Sequence, residues 1–97
     1  MELIYHQKPS TDKVRVSVVA SINGNVASFG VSRCGRKDRF VRKIGRERAL
    51  KRALNNPILV SNVPEKEVSR WFLITAVGLS NVVQANPQMI KRDIIAK

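Results

Sequence analysis

Val14, Val16 and Val18 alternate with Lys13, Arg15 and Ser17, and beyond Asn23-Gly24 a second run of the same kind extends from Asn25 to Val31. A period of two belongs to strands with one buried face. Asn-Gly between two such runs suits a tight type I′ turn, in which both central residues take positive φ. These residues predict an antiparallel hairpin from about 13–22 to 25–34. Whatever else the chain forms must pack against that hairpin.

The flanking segments fill in the rest. Glu2 to His6 predicts a short strand, broken by the turn residues Pro9-Ser10-Thr11-Asp12. After Cys34-Gly35-Arg36-Lys37, Asp38 is a suitable N-cap for a helix from Arg39 to about Leu54, which stops at Asn55-Asn56-Pro57. On its wheel Phe40, Val41, Ile44 and Gly45 share the core-facing side of the first half, and Arg39, Arg42, Lys43 and Arg46 share the other. Arg48, Lys51 and Arg52 intrude on the apolar arc, so that end either projects from the body or snorkels around its edge. Ile58-Leu59-Val60 predicts a third strand of the sheet. Asn62-Val63-Pro64-Glu65 resembles a capping box, with Glu65 and Glu67 in the first turn of the next helix.

That helix carries Val68, Trp71, Phe72, Thr75, Leu79, Val82 and Val83 at helical spacing, with Leu73, Ile74 and Val77 elsewhere around it, and is expected to be buried on most sides. Trp71 to Val77 reads alternatively as a central strand, and Gly78 as a kink or an early end. Asn86-Pro87 predicts a last short helix in which Ile90 and Ile94 share a face. The expected class is α+β in one domain over 1–97: an N-terminal antiparallel sheet packed against an Arg-rich helix and a buried C-terminal helix.

Charge supplies the functional signal. Ten of the eighteen Lys and Arg residues lie between Arg33 and Arg52, with only Asp38 and Glu47 to oppose them, so +8 of the net +11 sits in that window. Lys and Arg displace condensed counterions from phosphates, so charge gathered along one helix points to a polyanionic partner. Arg outnumbers Lys seven to three there, which suits nucleic acid because the planar guanidinium binds phosphate bidentately and stacks on bases. The predicted contacts are Arg33, Arg36, Lys37, Arg39, Arg42, Lys43 and Arg46, with Arg15 extending the patch across the sheet. A solvated helix face is the plain alternative, but such a face usually mixes signs. Gly45 either packs close to the sheet, the preferred reading, or admits an approaching RNA or partner backbone.

Other chemistry is poorly provided for. The single Cys34 excludes an internal disulfide and a multi-Cys zinc site, and is expected to be a strand-end thiol. The single His6 has no Cys/His cluster around it, so no metal or other cofactor is expected. There is no Gly-rich phosphate loop, no paired apolar carboxylates and no Ser-His-Asp set, and the protein is read as non-enzymatic. Asp38 and Glu47 are assigned to capping and to an ion pair with Lys43 or Lys51. Only Phe29 among the aromatics lies in the hairpin, and as a core residue, which disfavours base stacking on the sheet. No signal peptide or membrane-length apolar run appears, so a cytoplasmic protein is expected.

Lys37-Asp38-Arg39-Phe40-Val41-Arg42-Lys43-Ile44-Gly45-Arg46, entered from a hairpin, resembles a motif of small basic proteins encoded by phages and mobile elements. The likeness covers roughly residues 13–54 and carries no catalytic residues. It implies a small accessory protein that counters a host defence; the overall profile is similar to phage RNA-binding inhibitors of RNase toxin–antitoxin systems. The sequence reading is therefore a non-catalytic RNA-binding protein. Duplex DNA, an acidic host protein and self-association stay open as other partners.

Overall fold

The computed structural model describes residues 1–7, 15–34 and 41–86. Along the chain run β1 (Glu2–His6), β2 (Arg15–Asn23), β3 (Val26–Cys34), α1 (Arg42–Asn55), β4 (Leu59–Asn62) and α2 (Val68–Ala85). The four strands form one sheet in the order β1-β2-β3-β4, every pair antiparallel. The protein is of the α+β class.

The hairpin is where the valines place it, with Asn23 paired to Val26 and Arg15 to Cys34. Its turn differs from the expected one. The two loop residues are Gly24 and Asn25, and only Gly24 has positive φ, at 64°. Positive φ at the first central position alone is the type II′ arrangement, which asks for glycine there and not for Asn-Gly across the centre.

Strand alternation divides the sheet into two unlike faces. Val16, Val18, Ala20, Phe29 and Val31 point to the face covered by α2 and meet Phe72, Ala76 and Val83 in the core. Phe29 stacks on Phe72 with ring centroids 6.0 Å apart and meets the edge of Trp71 at 5.7 Å. The opposite face carries Ser17, Val19, Gly30 and Ser32 and is covered by α1. There the fit is by close approach. A Cβ on Gly30 would run into the Ala49 carbonyl and the Ala53 backbone nitrogen, with the Ala53 Cα at 2.9 Å.

Several expectations change accordingly. α1 begins at Arg42, not Arg39, because Val41 is still extended (φ −124°, ψ 116°) and no side chain caps the helix. The expected cap, Asp38, lies outside the described residues. The buried stripe of α1 is Gly45, Ala49, Arg52 and Ala53, whereas Val41 and Ile44 are exposed. The small residues win this position because Gly30 lets the helix backbone come too near for larger ones.

Arg52 neither projects nor snorkels. It is 8% exposed, and its Nη1 donates to the Val31 carbonyl at 2.8 Å. β4 pairs with β3 only as far as Phe29, and Phe29 turns its carbonyl toward Ile58 on that side. Two residues on, the Val31 carbonyl points the same way with no strand beside it. Arg52 takes the place of the missing strand partner, as a buried carbonyl requires.

The capping box is also overturned. Asn62 ends β4, α2 starts at Val68, and Glu67 precedes it in a left-handed conformation (φ 55°) with no acidic residue in the first turn. Asn62 is committed to the sheet by its pairing with Val26, so the helix starts later. α2 is a helix throughout, with no break at Gly78. It is buried along one face only, since Leu73, Ile74, Val77 and Val82 are exposed. It forms an outer layer on one sheet, and a helix so placed covers a single stripe. The predicted last helix with Ile90 and Ile94 lies outside the described residues.

Candidate nucleic-acid interface

The first turns of α1 bring the cations together. The Ser32 hydroxyl donates to the Gly45 carbonyl at 2.8 Å, tying this part of the helix to β3. Gly45 is therefore a packing residue against the sheet, as preferred from sequence. Arg42, Lys43 and Arg46, on either side of it, are exposed. At 1.5 Å of rise per residue, the span from Arg42 to Arg46 is about 6 Å. Arg48 and Lys51 continue the exposed basic surface.

Beneath them the sheet contributes a row of polar residues. His6 of β1 pairs with Ser17 of β2, and Ser17 with Ser32 of β3, all on the α1 face. The His6 Nδ1 and Ser17 Oγ are 2.7 Å apart. One row along, Arg15 pairs with Cys34, and the Arg15 Nε donates to the Gln7 carbonyl at 3.3 Å. Arg15 is half-buried on this face, not a freely solvated residue. The His6 pKa is lowered, first by burial and then by the positive charges of Arg42, Arg15 and Arg46. Three guanidiniums from two elements thus act on one imidazole.

No acidic residue occupies the first turn of α1, and its N-cap residue, Val41, has no side chain that can cap it. The helix dipole adds to the positive potential of Arg42 and Lys43. Cations at this end repel the dipole. Glu47 offsets little, since it pairs with neither Lys43 nor Lys51; the ion pair among the described residues is Glu67–Arg70 on the other side of the sheet. The expected intrahelical pair is therefore not made. Each partner would be held at the cost of side-chain entropy for a fraction of a kcal/mol in water.

The structure does not bring the predicted contacts into one patch. Arg15, Arg42, Lys43 and Arg46 share the α1 side. Arg33 pairs with Val16, and strand alternation puts it on the α2 face, away from them. Arg36, Lys37 and Arg39 lie outside the described residues. Sequence reading missed His6, which it left isolated near the terminus. The available signal was the alternation Glu2-Ile4-His6, but nothing local gives the register of β1 on β2.

Cys34 is half-buried at the end of β3, the position anticipated. Phe29 is fully buried, so base stacking on it is closed off. A separate open recess of about 320 Å³ beside α2 is lined by Pro64, Lys66, Arg70, Trp71 and Ile74. Among the described residues no group of His, Cys, Asp and Glu is placed to hold a metal, and no helix is long and apolar enough to cross a membrane. No family model, curated protein or solved structure matches this chain.

Proposed function

We propose that the protein binds RNA without catalysing a reaction, holding the phosphate backbone on the α1 side of the sheet. The observation that carries this reading is the convergence of Arg42 and Arg46, exposed with Lys43 in the first turns of α1, with Arg15 on the adjoining strand. Such an arrangement raises self-repulsion in the free protein, and a polyanion relieves it. Phosphate contacts position a strand without reading bases. Binding should therefore be tolerant of sequence and steep in salt. Four phosphates neutralised on a single strand give a slope of roughly −3 in log K against log salt, and contributions from residues 36–39 take it toward about −5.

The test reverses charge on each side of the sheet. Arg42→Glu with Arg46→Glu should flatten the slope and weaken all RNAs alike. Lys66→Glu with Arg70→Glu, exposed beside α2, should change it little. Equal losses from both pairs would mean diffuse charge drives binding and would remove the α1 site. Competition between structured RNA and duplex DNA of equal charge decides between the two polyanions. An acidic protein partner is the other reading; a complex from cells that survives nuclease would favour it.

The setting suggested by the likeness over residues 37–46, a phage accessory factor acting in the host cytoplasm against an RNase toxin–antitoxin system, rests on that likeness alone. Relief of such a toxin on co-expression, lost with the Arg42/Arg46 reversal, is its test.

A further inference from the structure

We propose that His6, Arg15, Arg42 and Arg46 form one phosphate-binding site in which His6 takes up a proton as the phosphate enters. The inference rests on the RNA reading for the source of the phosphate, but the site itself is defined by the fold. His6 and Ser17 are neighbours on paired strands, and Ser17 is in turn the neighbour of Ser32, whose hydroxyl holds Gly45 of α1. Arg42 and Arg46 flank Gly45, while Arg15 is two residues along β2 from Ser17. The imidazole thus shares the α1 face of the sheet with Arg15 and feels the charge of Arg42 and Arg46 on the helix above that face.

In the free protein these cations, together with burial, favour the neutral imidazole. A phosphate among the guanidiniums reverses the local field, because an anion favours the charged form of its neighbour. His6 then adds a fourth positive charge to the site. Ser17 fits both states, since a hydroxyl at 2.7 Å donates to a neutral Nδ1 or accepts from a protonated one. The anchoring contact can therefore survive the proton transfer from solvent. Among the described residues, Glu2 of β1 lies two pairs away on the same face, and Cys34 of β3 pairs with Arg15. The charged groups acting on His6 from β2 and α1 are the three arginines.

His6 is the single histidine of the chain, so its ring protons report directly in an NMR pH titration. Two probes are used: inorganic phosphate, compared with chloride at equal ionic strength, and an oligouridine, whose diesters and bases keep their charge between about pH 5.5 and 7.5. The expected result is a His6 pKa raised by about one unit with each probe, equivalent for oligouridine, whose charge is constant, to about tenfold tighter binding at the acidic end. His6→Gln should bind oligouridine with affinity constant within about twofold over the same range. Oligouridine that binds while leaving the His6 titration and the wild-type pH dependence unchanged would overturn the site and leave the RNA reading standing. If oligouridine fails to bind, the RNA reading falls, and the phosphate arm decides alone: a raised pKa keeps the site, and a titration identical to that in chloride removes it.

Discussion

The two faces of the sheet hold their helices by different means. Toward α2 the sheet offers Phe29, Val16, Val18 and Val31, and the helix answers with Phe72, Trp71 and Val83. That contact rests on apolar area and ring packing. Toward α1 it offers Gly30, Ser17 and Ser32, and the helix answers with Gly45, Ala49, Ala53 and two hydrogen bonds, Ser32 to the Gly45 carbonyl and Arg52 to the Val31 carbonyl. Of the sheet's larger apolar side chains, Val19 is fully buried there. The consequence is electrostatic: a helix seated on small residues lies low on the sheet, and the charges of Arg42 and Arg46 act on His6 of β1.

Phe29→Ala is the largest test of this contrast. It removes the ring between Trp71 and Phe72 and should cost about 3–5 kcal/mol in denaturant unfolding. A loss under about 1 kcal/mol would mean the α2 face is not the main core. Gly30→Ala tests the other face. Its methyl group meets helix backbone, which has no rotamer to yield, so a loss of about 1–3 kcal/mol is expected. Hydrogen exchange should show it first at the amides of α1, and phosphate-dependent binding should weaken with it. Uniform exchange changes in both helices would erase the distinction between the faces.

The smallest effect is in pH. The His6 pKa is lowered in the folded protein, so the unfolded chain binds the proton first as pH falls. Stability from this group is complete above the ordinary histidine range, near pH 6.5, and is lost as pH falls from there through the lowered folded value. His6→Gln should flatten the thermal stability profile across that window by a small amount, because the ring is only partly buried. An unchanged profile would show that other groups set it.

Much of the local structure was legible. The valine alternation marks the hairpin, Asn55 to Pro57 ends α1, and the apolar spacing from Val68 onward marks α2, because strand and helix periods and turn residues act within a few neighbours. Burial was less legible. Arg52 reads as a surface cation until an unpaired edge carbonyl two strands into the sheet gives it a partner, and Val41 and Ile44 read as sharing a buried side with Gly45 until Gly30 turns the stripe so that Gly45 continues into Ala49 and Ala53 instead. The capping box at Asn62 failed in the same way, since pairing with Val26 outweighs a local helix start.

The candidate site divides along the same line. By itself the sequence determined that a basic helix would follow a hairpin, because its charge density and strand alternation are properties of neighbouring residues. Only the tertiary structure decided that Arg33 belongs to the opposite face, that Arg15 joins Arg42 and Arg46, and that His6 sits among them. Register between β1 and β2 and the depth at which α1 seats are set by contacts between residues far apart in the chain. No local pattern encodes those distances, and they are what turn separate charges into a site.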